Sequence, residues 1–120
     1  MDASTTRPLI LIADDESVIR DVLASLLAEE GHRVHTVPDG REALDYLILH
    51  RPDVILSDIK MPRMHGLTLL ERMRAAGDDT PVILISTWTP PAGLTGVQFV
   101  RKPFDLDQIM EAVKTSLPNS

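Results

Sequence analysis

Five residues of this 120-residue chain have side chains suited to the chemistry of phosphate or of a hard metal ion. They are three carboxylates, a hydroxyl and an ammonium group: Asp14, Asp15, Asp58, Ser86 and Lys102. Each stands at or directly after the end of a short apolar run. Carboxylate oxygens bind Mg²⁺, and hydroxyl and ammonium groups stabilise a phosphoryl group during its transfer. This chemistry requires a fold that brings the five residues together.

Five apolar runs are predicted to form β-strands. The runs are Leu9–Ala13, Val34–Val37, Val54–Ser57, Val82–Ser86 and Val97–Val100. The third and fourth show no alternation of apolar and polar residues, which is typical of strands buried on both faces in a parallel sheet. Pro52 and Pro81 lie just before these two runs, where the missing N–H is tolerated.

Four helices are predicted from apolar residues at helical spacing. The first carries the stripe Val18, Ile19, Val22, Leu23, Leu26 and Leu27 and ends near Gly31, and the third covers Leu67–Ala76 and stops at Gly77. The second begins at Asp39-Gly40-Arg41-Glu42 and buries Ala43, Leu44, Leu47 and Ile48, and the last follows Asp105-Leu106-Asp107-Gln108 and buries Ile109, Met110, Val113 and Leu117. Both of these starts have the spacing of a capping box.

The link between the fourth and fifth strands breaks the alternation. Residues 87–96 contain two prolines and two glycines with little apolar periodicity, so we predict a loop or at most one helical turn. The order β-α-β-α-β-α-β-loop-β-α predicts an α/β fold with a doubly wound, five-stranded parallel sheet. We expect one domain over residues 8–117, a flexible N-terminus over residues 1–7 and a short tail over residues 118–120.

The predicted topology brings the five polar residues to one edge of the sheet. All strands of an open parallel sheet end at the same edge, and ligands bind outside those ends. Crowded carboxylates repel one another, and Lys102 alone does not balance the charge of Asp14, Asp15 and Asp58. Mg²⁺ suits two carboxylates, water and a phosphoryl oxygen. The residues therefore predict a magnesium site that can act on a phosphoryl group.

Four segments together resemble the receiver domain of two-component response regulators. They are Asp14-Asp15, Asp58-Ile59-Lys60-Met61-Pro62-Arg63-Met64-His65-Gly66, Ser86, and Lys102-Pro103-Phe104. The resemblance covers residues 8 to 117. It implies a flavodoxin-like sheet with strand order 2-1-3-4-5, in which the fourth helix of the family is here short or replaced by a loop.

The resemblance also implies roles for the acidic residues. Asp58 is expected to be the phosphoacceptor, receiving a phosphoryl group from the phosphohistidine of a sensor histidine kinase or a histidine phosphotransfer protein. Mg²⁺ is expected to bind Asp15, Asp58 and the backbone carbonyl of Lys60, with Asp14 acting mainly through metal-bound water. The chain is then a signalling switch and not an enzyme that turns over a substrate.

The remaining roles concern the phosphoryl group and the response to it. Ser86 is expected to hydrogen-bond a phosphoryl oxygen, and Lys102 to pair with Asp58 and then with the phosphate. Phe99 matches the aromatic switch position, where it would act with Ser86 through packing alone because it has no hydroxyl. The bond between Lys102 and Pro103 is expected to be cis, a minority state of such bonds.

Two features depart from the family pattern. Only 16 positions separate Ser86 from Lys102, several fewer than receivers usually have, and the shortfall lies in residues 87–96. We therefore expect output through a remodelled loop or another face. Lys60 and Trp88 occupy the positions that affect phosphoryl lifetime in the family, and neither resembles a residue that orients attacking water. Slow autodephosphorylation is the expected result.

The composition excludes several other classes of function. Twelve Lys and Arg against 18 Asp and Glu give a net charge of -6, which disfavours direct binding of nucleic acid or anionic membrane. There is no Cys, so disulfides and thiol chemistry are excluded. No apolar run approaches the roughly 18 residues of a membrane span, and Met1 to Arg7 lack a signal-peptide core. A cytoplasmic location is expected.

Three other interpretations remain at this stage. An aspartyl-phosphate hydrolase of the haloacid-dehalogenase type needs a second Asp two residues after its nucleophile, where this chain has Lys60. A degenerate receiver that serves only as a protein-interaction scaffold is consistent with the lost helix but not with the intact polar set. Asp14, Asp15 and Glu16 taken alone could be an acidic turn at a helix start.

The sequence does not identify the partners. The resemblance places kinase recognition on the exposed face of the first helix, near Ser17, Arg20 and Ala24, and on the loop after Lys102. It names neither the kinase nor the output protein, and it leaves the oligomeric state open.

Overall fold

The computed structural model describes residues 7–117, so all but the last residue of the N-terminal segment predicted at 1–7, and the whole tail predicted at 118–120, lie outside this range. Five strands and four helices follow one another in the predicted order. They are β1 (Leu9–Ala13), α1 (Ser17–Glu29), β2 (Arg33–Val37), α2 (Gly40–Leu49), β3 (Val54–Asp58), α3 (Gly66–Ala75), β4 (Val82–Ser86), β5 (Val97–Arg101) and α4 (Leu106–Ser116).

The strands form one parallel sheet in the order β2-β1-β3-β4-β5. Leu11 pairs with Ile55 across β1 and β3, and Ser86 pairs with Arg101 across β4 and β5. Every residue of β3 and β4 is buried, as the lack of polar alternation predicts. The doubly wound α/β fold and its 2-1-3-4-5 order are therefore confirmed.

Helices cover both faces of the sheet and give the domain two apolar layers. Leu11 in β1 faces α2 and α3, whereas its neighbours Ile10 and Ile12 face α1 and α4. The alternation of side chains along a strand produces this division. Because helices bury both faces of the central strands β1, β3 and β4, the polar side chains of the site lie at the carboxyl edge of the sheet.

Two helix ends and two helix starts follow the predicted local chemistry. Gly31 and Gly77 adopt left-handed φ angles of 92° and 81°, the conformation that ends α1 and α3. Asp105 and Gln108 form a complete capping box at the start of α4. Asp39 caps α2 by accepting the backbone N–H of Glu42 at 2.8 Å.

Three residues predicted to be buried are exposed. Val18 and Val22 of α1 are 71% and 44% exposed, and Ile48 of α2 is 74% exposed. The predicted stripe of α1 includes two residues per turn, but only the side with Leu23 and Leu27 packs against the sheet. The apolar faces of α1 and α2 were therefore predicted too wide.

The segment from 87 to 96 is fully described and consists of turns without a helix, so the prediction of a loop is confirmed. Arg74 of α3 fastens the end of this loop by donating to the carbonyl oxygens of Thr95 at 3.2 Å and Gly96 at 3.4 Å. It also donates to those of Asp78 and Thr80. Within residues 7–117, no helix is long and apolar enough to cross a membrane.

Candidate functional site

Four of the five predicted polar residues meet at the carboxyl edge of the sheet, and all four are buried or half-buried. Asp14 directly follows β1, Asp58 and Ser86 end β3 and β4, and Lys102 directly follows β5. Asp14, Asp58 and Ser86 are 1%, 6% and 1% exposed. Burial on this scale is uncommon for carboxylates and requires compensating partners.

Lys102 joins the acidic residues of the site. Its Nζ lies 2.8 Å from Asp58 Oδ2, 3.2 Å from Glu16 Oε1 and 3.7 Å from Asp14 Oδ2. Burial alone would lower the pKa of Lys102, but the hydrogen bond to Asp58 and the charge of Asp14 raise it above its usual value. The ammonium group therefore stays charged and holds three carboxylates together.

Asp14 is the carboxyl group of this cluster whose charged form is disfavoured by burial. Burial raises the pKa of its carboxyl from 3.8 to about 6, against the lowering effects of the Glu16 N–H and of Lys102. Oδ1 accepts that N–H at 2.8 Å, whereas Oδ2 is buried without a hydrogen-bond partner. A buried carboxylate oxygen without a hydrogen bond fits a site that holds a cation.

The residues present also fit a divalent cation by number and type. One carboxylate oxygen from each of Asp14, Glu16 and Asp58 lies within 4.8 Å of the others. Hard oxygen donors at this spacing suit Mg²⁺. Asp15 is exposed and is not one of these three residues, whereas Glu16, which was not predicted as a ligand, is one of them.

One backbone donor, one side-chain donor and one close contact hold Asp58 in place. The N–H of Lys60 donates to Asp58 Oδ1 at 3.1 Å, while Lys102 binds Oδ2. Gly66 begins α3 against this residue, and a Cβ there would overlap the carbonyl oxygen of Asp58. Gly66 is therefore needed for the close approach of α3 to the end of β3.

Ser86 is bound at its carbonyl oxygen by the neighbouring strand and at its hydroxyl oxygen by the loop that follows it. The N–H of Lys102 donates to the carbonyl oxygen of Ser86 at 2.9 Å, and the N–H of Trp88 donates to its Oγ at 3.0 Å. Because Oγ acts as acceptor there, its own hydrogen is available for a phosphoryl oxygen. The peptide bond between Lys102 and Pro103 is cis, as the resemblance implies.

Contacts between side chains above the site were not foreseen. Lys60 Nζ lies 4.7 Å from the ring centroid of Trp88, which is within cation–π range. Arg101 covers the half-buried ring of Phe99 at 5.6 Å. The rotamers that create these contacts leave no periodic pattern, although the position of Glu16 directly after two predicted acids was a signal for its inclusion.

Comparisons with known proteins agree with the geometry. The family model of the response regulator receiver domain matches residues 10–114. Response regulator MprA of Mycolicibacterium vanbaalenii is 34% identical over 114 residues, which are 90% of this chain and 49% of that protein. Sporulation initiation phosphotransferase F of Bacillus subtilis is 35% identical over 115 residues, which are 91% of this chain and 93% of that protein.

A solved structure is similar to this chain at nearly the same sequence identity and coverage as these two relatives. The response regulator protein TrrA of Thermotoga maritima, in complex with Mg²⁺-BeF, has a TM-score of 0.82 and 32% identity, and the match covers 92% of this chain and 99% of that one. The chain spans about half the length of MprA but nearly all of phosphotransferase F.

Proposed function

The chain belongs to the receiver domain family of response regulators, and from this premise we propose that Asp58 accepts a phosphoryl group and thereby switches the conformation of the domain. The observation that carries the proposal is the contact of Lys102 Nζ with Asp58 Oδ2 at 2.8 Å, deep in an acidic site. A buried carboxylate held by an ammonium group is oriented for attack and has a cation beside it for the product.

The proposed reaction transfers one phosphoryl group between two side chains. A carboxylate oxygen of Asp58 forms a bond to phosphorus while the bond from phosphorus to the imidazole nitrogen of a phosphohistidine breaks, and the donor histidine leaves. Lys102 stabilises negative charge on the phosphoryl oxygens, and the hydroxyl of Ser86 donates a hydrogen bond to one of them. These residues supply positioning and charge, which are the main needs of phosphoryl transfer.

Mg²⁺ is proposed as the cofactor, where it would neutralise charge on the carboxylates and on the phosphoryl group. Asp58, the backbone carbonyl of Lys60 and Asp15 would bind it, with Asp14 acting through a bound water. The buried Oδ2 of Asp14, which accepts no hydrogen bond, supports a cation here. Glu16 lies in the cluster without Asp15, so the exposed Asp15 has to turn inward to bind the ion while Glu16 remains with Lys102.

The phosphorylated protein is proposed to act as a signal and not as an intermediate in the turnover of a substrate. The phosphoryl group carries roughly 1.5 to 2 negative charges and three acceptor oxygens, which Ser86 and Lys102 can satisfy only by moving toward them. The equilibrium between two arrangements then shifts. Phosphate donors in this proposal are a sensor histidine kinase or a histidine phosphotransfer protein, and the output partner is a protein that distinguishes the two arrangements.

The two alternatives differ in what they require of the site. A haloacid-dehalogenase-type hydrolase needs an acid–base group at position 60, but Lys60 directs its Nζ to the ring of Trp88. A scaffold would need no oriented Asp58, and the replacement of a helix by the loop over residues 87–96 is the observation in its favour.

Intact mass after incubation with acetyl phosphate and Mg²⁺ tests the proposal. The wild-type protein should gain the mass of one phosphoryl group, Asp58→Asn should gain none, and Asp79→Asn, which alters an exposed residue between α3 and β4, should behave as wild type. No gain in wild type would favour the scaffold, and steady release of phosphate from aryl phosphates would favour the hydrolase.

A further inference from the structure

The guanidinium group of Arg101 connects the segment after Ser86 with the ring of Phe99. Its Nη1 donates to the carbonyl oxygen of Thr87 at 2.9 Å, and its Nη2 donates to Thr89 Oγ1 at 2.5 Å. The same group lies 5.6 Å from the centroid of the Phe99 ring. One exposed side chain at the end of β5 therefore contacts both the segment after Ser86 and the ring of Phe99.

Hydrogen bonds of the sheet hold the backbone of Ser86 and Arg101 in place, so the strand ends do not move with the Ser86 hydroxyl. Ser86 pairs with Arg101 in the sheet, and its carbonyl oxygen accepts the N–H of Lys102. The hydroxyl is different, because it is bound by the N–H of Trp88 and so by the loop. A hydroxyl that turns toward a phosphoryl oxygen on Asp58 either loses this N–H or draws the loop with it.

We propose that Arg101 is a positioning residue that couples the Ser86 hydroxyl to Phe99. Movement of the loop shifts Thr87 and Thr89, the guanidinium group follows these two acceptors, and the ring of Phe99 loses or changes its cover. Since Phe99 has no hydroxyl, the guanidinium group supplies the polar link between ring and loop. This inference deepens the proposed function and rests on phosphorylation of Asp58.

The geometry depends on arginine in particular. The planar guanidinium group donates two hydrogen bonds in the plane of its fork while its face covers an aromatic ring, and an ammonium group cannot do both. Lysine at this position would keep the charge but lose the coupling. Arg101→Lys and Arg101→Ala should therefore behave alike, which separates a positioning role from a contribution of charge alone.

Amide NMR of the full chain tests the coupling. Wild type, Arg101→Ala, Arg101→Lys and the control Arg51→Ala, an exposed arginine before β3, are each treated with acetyl phosphate and Mg²⁺. Intact mass of the same samples should show equal phosphoryl uptake. Phosphorylation should change the amide chemical shift of Phe99 in wild type. This change should be less than half as large in both Arg101 variants and equal to the wild-type change in Arg51→Ala.

Two results would overturn the inference, and they are distinguishable from failure of the proposed function. A full-sized Phe99 response in phosphorylated Arg101→Ala removes the coupling but leaves phosphorylation intact. If wild type takes up no phosphoryl group, Ser86→Ala in the untreated protein provides a second measurement. It should shift the Phe99 amide in wild type and not in the Arg101→Ala background, and an equal shift in both would overturn the coupling.

Discussion

Asp14 shows how a single buried carboxylate at the site costs the folded protein stability. Its carboxyl is buried beside Asp58 and Glu16, and its pKa rises from 3.8 to about 6. The folded protein thus holds this proton to a higher pH than the unfolded chain does. Stability from this group is therefore lost as the pH rises from about 4 to 6, and the full cost remains above that range.

Asp14→Asn should relieve this cost when Mg²⁺ is removed by a chelator. The gain in free energy of unfolding over wild type should be small at pH 4 and reach roughly 1–3 kcal/mol at pH 7. Urea denaturation at several pH values measures it, with Asp79→Asn as the matched control. A difference between Asp14→Asn and wild type that stays constant with pH would contradict the assignment.

Trp88 should protect the phosphorylated protein from hydrolysis. Its ring lies against Lys60 while the backbone N–H groups of the two residues bind Ser86 and Asp58, so the pair spans the reacting carboxylate. Trp88→Ala should admit water and shorten the phosphoryl half-life several-fold, whereas Trp88→Phe should keep most of the cover. Loss of phosphoryl mass with time measures the half-life, and an unchanged value in Trp88→Ala would refute the role.

At the scale of elements, the loop over residues 87–96 stands where the resemblance leads one to expect a helix. Two arginines hold it, Arg101 at its start and Arg74 at its end. Arg74 donates to four carbonyl oxygens from two different segments of chain. A loop without helical hydrogen bonds needs such donors for its backbone.

Arg74→Ala should destabilise the domain by about 1–3 kcal/mol, because the partly buried hydrogen bonds to the carbonyl oxygens of Asp78 and Thr80 lose their charged donor. Arg72→Ala is the matched control, since Arg72 is exposed on the same helix. Urea denaturation gives the free energy, and hydrogen exchange should quicken in the loop and at the start of β5. Equal stability of the two variants would show that Arg74 does not fasten the loop.

The elements were predictable because their signals are local. Runs such as Val82–Ser86, turn glycines such as Gly31 and the cap at Asp105 each specify a boundary from adjacent residues alone. The width of the buried helix faces was not predictable in this way. Ile48 has the same spacing as its buried neighbours, but whether the end of α2 reaches the sheet depends on packing between distant elements.

At the scale of the whole molecule, the topology explains the site. Lys102 and Asp58 are far apart in sequence, yet the parallel sheet places both at one edge, which is why their meeting could be predicted. The presence of Glu16 in the acidic cluster was signalled only by its position after two acids, because it depends on the path of the turn before α1. The contact of Lys60 with Trp88 depends likewise on rotamers above the sheet.

Mg²⁺ should stabilise the entire domain if it binds only the folded state. At a concentration 100 times its dissociation constant, the expected gain is about 2.7 kcal/mol. Thermal unfolding with and without Mg²⁺ measures this gain, which should disappear in Asp58→Ala and persist in Asp79→Ala. Equal gains in wild type and Asp58→Ala would place the ion elsewhere.

The central claim is tested most directly by locating the acyl phosphate itself. Borohydride reduces an aspartyl phosphate to homoserine, and tandem mass spectrometry of the digested protein then identifies the modified position. After treatment with acetyl phosphate and Mg²⁺, homoserine should appear at position 58 and depend on Lys102. Homoserine at another aspartate, or none while the protein carries phosphoryl mass, would contradict Asp58 as the phosphoacceptor.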